Sequence, residues 1–132
     1  MGAPQDSLTY LLLKAAKRSL AALEAELADL DLTARQYLLL TLAATGKELS
    51  QQDLAAKLDL DPTIIVKIVD QLEDRGLLER TRATDDRRRH QLILTPAGKQ
   101  LLRDARAREQ SVERTFPASA SLRDLLRNAL GY

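Results

Sequence analysis

Residues 84–95 read TDDRRRHQLILT and hold the densest chemistry in the chain: two acids, three consecutive arginines and the only histidine. Arg87, Arg88 and Arg89 repel one another at adjacent positions, so the cluster either faces water or waits for an anion. Taken alone, such a run is usually a solvated face. Between residues 75 and 90, six arginines stand against three carboxylates, a local net charge of +3, while the whole chain carries only +1. Binding to a polyanion would therefore rest on local charge and not on a global field. Other chemistry is poorly served. There is no nucleophile–base constellation, phosphate-binding glycine loop or metal-ligand spacing. A single histidine would leave a zinc site dependent on carboxylates, and the lack of cysteine excludes disulfides and thiol redox sensing. Glu24, Glu26, Asp29 and Asp31 read as helix-surface charge, and His90 as a surface residue at a strand start. Neither enzymatic activity nor a cofactor is expected.

The elements that must position this cluster can be read from periodicity and punctuation. In residues 8–30, Leu8, Leu12, Ala16, Leu20, Leu23, Leu27 and Leu30 recur every three or four positions, the stripe of one amphipathic helix capped by Asp6 or Ser7. Thr33 opens a capping box with Gln36, and the nearly all-apolar helix that follows, about 34–45, suits a central buried position before Gly46. Ser50 starts a short helix over 51–58. Asp61-Pro62 then marks another start, a capping acid followed by proline at the first helical position, and Gly76 follows its end. LLERTR (77–82) and HQLILT (90–95) read as two strands joined by the acidic–basic loop. Thr95-Pro96 begins a helix with Leu101, Ala105, Val112 and Phe116 on one side, and a last helix spans 121–130.

Two helices joined by the turn 59–61 form a helix-turn-helix, whose second helix offers its first turns to base edges in a major groove. Outward positions there include Thr63, Ile64, Val66 and Lys67, while Ile65, Ile68, Val69 and Leu72 supply most of the buried side; as apolar residues, Ile64 and Val66 would suit either face. Lys67 can donate to guanine or phosphate, Thr63 can donate or accept, and Ile64 or Val66 can meet a thymine methyl. The hairpin after it completes a winged helix, in which an arginine-tipped wing suits a narrow minor groove. Only Tyr10, Tyr37, Phe116 and Tyr132 are aromatic, which argues against a stacking platform for single-stranded bases.

These residues resemble the MarR family. The likeness is closest over 33–102 and rests on VDQLEDRGLLER and on Asp86-Arg87-Arg88 followed by Leu94-Thr95. It implies a mainly α fold with a small β-hairpin wing: a winged helix-turn-helix lobe (33–95) plus a helical dimerisation region (8–30 and 96–130). It further implies a homodimeric transcription factor, usually a repressor, released by a small aromatic or phenolic ligand. Such a dimer would present two such helices to successive major grooves about 34–36 Å apart on a pseudo-palindromic double-stranded operator. By the same resemblance Arg88 enters the minor groove, Asp86 braces it, and Arg87 and Arg89 contact the backbone. Two departures stand out. Many relatives carry Ser or Thr where this chain has Ile64 and Val66, and FPASAS (116–121) replaces a longer helical connection. No stretch approaches the roughly 20 apolar residues of a membrane span, and the N-terminus MGAPQDSLTY lacks a signal-peptide core, so a cytoplasmic location is expected. The alternative reading is a winged-helix module that buries Ile64 and Val66 against a protein partner and never touches DNA.

Overall fold

In the computed structural model, which describes residues 2–82 and 90–132, the chain forms α1 (Leu8–Leu27), α2 (Ala34–Ala43), α3 (Gln51–Leu58), α4 (Pro62–Asp74), β1 (Leu78–Arg82), β2 (His90–Leu94), α5 (Pro96–Glu113) and α6 (Ser119–Leu130). Five helix starts are set by local hydrogen bonds to the orphan amides of the first turn. Ser7 accepts from Tyr10, Asp61 from Thr63 and Thr95 from Gly98, while Thr33/Gln36 and Ser50/Asp53 form reciprocal capping boxes. Glu24, read above as surface charge, is also engaged: its carboxylate accepts from the Ala34 amide at 2.9 Å, joining α1 to the start of α2.

Two helix boundaries depart from the sequence expectation beside non-glycine residues that turn left-handed. The first helix does not run to residue 30. It is α-helical to Leu27, tightens into a 3-10 turn over Ala28–Leu30, and stops at Asp31 with φ 51°. Asp59 is left-handed too, with φ 53°, but α3 ends at Leu58 as expected. The last helix starts at Ser119, two residues before the expected 121, after Ala118 with φ 54° and no side-chain cap. Phe116 lies beyond the end of α5, where the Arg18 guanidinium stacks over its ring, 5.1 Å from the centroid.

Helix α2 is the hub, packing on α1, α3, α4, α5 and β2. Tyr37, Leu39 and Leu40 from α2 join Leu27, Leu54, Ile65, Val69, Leu72 and Leu78 as the largest fully buried side chains. The strands pair antiparallel from Leu78↔Leu94 to Arg82↔His90. Long helices α1 and α5 lie against each other, and Arg108 of α5 grips Asp29 through two bonds of 2.6 and 2.7 Å and donates to the Glu26 carbonyl. Among the described residues, α6 buries no side chain, and Leu125 and Leu130 are 66% and 70% exposed. Much of the N-terminal half of the α1 stripe, including Leu8, Leu12 and Leu20, is exposed as well.

One close approach locks the hairpin to α5. A Cβ at Gly98 would sit 2.1 Å from the Leu77 carbonyl oxygen. The adjoining Thr95 donates its amide to that same carbonyl and its hydroxyl to the Gly76 carbonyl at 2.6 Å. The obstacle is backbone, so a methyl forces a shift of the hairpin base. Gly98→Ala should cost about 1–3 kcal/mol, read as a thermal midpoint several degrees lower; an unchanged midpoint would show that the junction yields freely.

Candidate nucleic-acid interface

Helix α4 divides cleanly into a dry side and a bare side. Ile65, Ile68, Val69 and Leu72 are buried, while Thr63, Ile64, Val66 and Lys67 are exposed, with Ile64 at 36% and Val66 at 39%. The spacing of the four apolar positions at i, i+3, i+4 and i+7 selects this rotation. All four residues expected on the outward face of α4 therefore share one open surface. The wing positions Asp86, Arg87, Arg88 and Arg89 lie outside the described residues.

The leading end of α4 is organised by Asp61. Its Oδ1 accepts from the Thr63 amide at 2.8 Å and also from the Thr63 hydroxyl. These bonds, that of the hydroxyl foremost, hold the Asp61 carboxyl below the ordinary aspartate range. Thr63 therefore spends its hydroxyl proton inside the chain and presents lone pairs to an incoming partner. That narrows the expectation that it could serve equally as donor or acceptor. Among the described residues, no carboxylate pairs with Lys67. Its side chain is exposed to an external acceptor.

Behind this face lies a cluster that the linear pattern did not single out. The Arg80 guanidinium on β1 donates to Asp70 at 2.5 Å, to Glu73 at 2.7 Å and twice to Gln51 Oε1, at 3.2 and 3.1 Å; its amide also donates to Glu73 at 3.3 Å. Burial works against its charge, yet Asp70 and Glu73 outweigh that and raise its pKa. Its partners lie 7, 10 and 29 residues away, so only the count of basic residues hinted at it. At the far end of α4, Arg75 donates to the Asp31 carbonyl at 2.6 Å and to the Leu30 carbonyl at 3.3 Å, and Gln71 accepts from buried Gln36 at 3.2 Å. The helix is thus fixed to the α1–α2 junction at its rear and to the hairpin along its flank.

Comparison with known proteins agrees with this geometry. The family model for the MarR family matches residues 32–90. A Thauera aromatica protein named for regulation of the hcr operon is 40% identical over 94 residues, 71% of this chain, and the match spans only 55% of that protein's own length. CouR from Rhodococcus jostii RHA1, solved with p-coumaroyl-CoA, is 32% identical with a TM-score of 0.85, covering 98% of this chain and 95% of that one. CouR is also solved as a transcriptional repressor on a 23-mer DNA duplex, at 30% identity and a TM-score of 0.82, covering 99% of this chain and 94% of that one. A MarR-family transcriptional regulator from Rhodococcus sp. RHA1 superposes with a TM-score of 0.89, covering 98% of this chain. Sharing the winged-helix fold and 33% identity over 96% of that regulator's chain, this protein belongs to the MarR family.

Proposed function

We propose that two copies of this chain form a sequence-specific repressor of transcription that grips a pseudo-palindromic duplex and lets go when a small aromatic ligand binds. The observation that carries the reading is the open face of α4. Thr63, Ile64, Val66 and Lys67 stand exposed on a helix whose opposite side is sealed into the core. Two exposed apolar side chains flanking an exposed lysine suit a groove that offers thymine methyls beside guanine and phosphate acceptors. CouR on its 23-mer duplex supports the same use of the same fold. The wing residues Asp86, Arg87, Arg88 and Arg89 complete the proposed contact set: Arg88 in the minor groove, Asp86 bracing it, and the other two on the backbone.

Exposed leucines on α1 and α6 support the homodimer. A groove of about 560 Å³ between α1, the end of α5 and α6 is lined by Leu12, Val112, Phe116, Leu122 and Leu126, and a second copy of these helices would cover it. The aromatic effector is supported by the p-coumaroyl-CoA complex of CouR. By linkage, a ligand that prefers a lobe spacing unmatched to the operator lowers DNA affinity.

Three outcomes are expected. In fluorescence anisotropy with duplex from upstream of its own gene, the protein should bind, and Lys67→Ala should weaken binding by about 1–3 kcal/mol. A salt slope shallower by about 0.9 in that variant would place the ammonium on phosphate, and an unchanged slope would place it on a base. Absence of any duplex binding would favour the protein-interaction alternative. Replacing Leu125 and Leu130 together with Asp should shift the mass in solution from dimer to monomer and abolish operator binding; a persistent dimer would exclude α6 from the interface. Saturating p-coumaroyl-CoA or a free phenolic acid should lower operator affinity by about fivefold or more, and equal affinities across such a panel would remove the effector.

A further inference from the structure

A hairpin of two five-residue strands is marginal by itself and takes its direction from whatever holds it. Here the apolar anchors are Leu78, Leu92 and Leu94, all buried, while Glu79 and Ile93 face outward. In the ladder Arg80 pairs with Leu92, so the anchored part of the hairpin ends at Arg80. Beyond it come the Thr81↔Gln91 and Arg82↔His90 pairs, where the Thr81 hydroxyl donates across the strands to the Gln91 carbonyl at 3.4 Å. The connection that follows carries Arg87, Arg88 and Arg89.

At that last anchored position the planar fork of Arg80 reaches two helices at once, Gln51 in the first turn of α3 and Asp70 with Glu73 on the flank of α4. A lysine would keep the charge, but a single ammonium cannot reproduce this spread of bonds. The ion pairs are open to water, with side-chain exposures of 22% for Arg80, 56% for Asp70 and 39% for Glu73. Pairs of that kind contribute little to global stability.

We infer that Arg80 is a positioning residue for DNA binding: its bonds to Gln51, Asp70 and Glu73 set the direction in which strands β1 and β2 leave the helix pair, and with it the affinity for the duplex bound by α4. This rests on the DNA-binding reading above and adds a residue that touches no nucleic acid itself.

The test is a double-mutant cycle between Arg80→Lys and Arg88→Ala, read as affinity for the upstream duplex beside thermal midpoint and dimer mass. Arg80→Lys should leave midpoint and mass unchanged while lowering affinity about tenfold. In the Arg88→Ala background the same change should cost less than about twofold, because the wing contact proposed above is already removed. The double variant Asp70→Asn/Glu73→Gln, which disarms the clamp from the helix side, should repeat the pattern. Undiminished affinity in Arg80→Lys, or an equal loss in both backgrounds, would overturn the inference. A wild-type protein that binds no duplex would instead overturn the DNA-binding reading beneath it.

Discussion

Burial of Ile65, Ile68, Val69 and Leu72 against α2, α3 and β1 is the constraint from which the remaining architecture follows. Each such side chain contributes about 1.5–3 kcal/mol, so the four together rival the net stability of an entire domain, about 5–15 kcal/mol. Turning α4 by one residue, about 100°, would bring Ile64 or Val66 inward and expose part of that set. The outward face of α4 is therefore dictated by its inward one. Thr63 and Lys67 need no contacts of their own to be presented to solvent, because the core fixes the rotation that puts them there.

Polar contacts then attach this lobe to the long helices. Buried Tyr37 on α2 donates its hydroxyl to Glu109 on α5, and burial, reinforced by that carboxylate, pushes the phenol above its ordinary range. Arg75 closes the rear of α4 onto the Leu30 and Asp31 carbonyls between α1 and α2, and Arg108 ties α5 to the same region through Asp29. In this way α1 and α5 are coupled to α4 through short chains of named bonds, not through a flexible linker.

How much of this was legible in the sequence depended on the range of the interaction. Helix starts at Thr33, Ser50, Asp61 and Thr95 were legible because a cap and its amide lie within three residues of each other. The split of α4 into buried and open faces was legible from the 3.6-residue period. Helix ends were less so. Asp31 and Ala118 adopt left-handed backbone without the glycine that would have announced it, and Ala118 has no polar atom with which to cap α6. The Arg80 cluster joins three elements and has no local signature. Glu24 reads as surface charge in the linear pattern because its partner, the Ala34 amide, lies ten residues away. Asp86, Arg87, Arg88 and Arg89 were the most conspicuous letters in the chain and fall outside the described residues.

The length of α5 gives these attachments a mechanical meaning. Eighteen residues make a rod about 27 Å long, running from the hairpin junction at Gly98 to the turn before α6. Because its first turn abuts the Leu77 backbone with no room for a methyl, the near end cannot slip against the hairpin. A tilt of only about 5° at the far end of such a rod displaces the near end by roughly 2 Å. Packing at the α6 end of this helix is in this sense geared to the hairpin base, and small changes there are magnified by leverage.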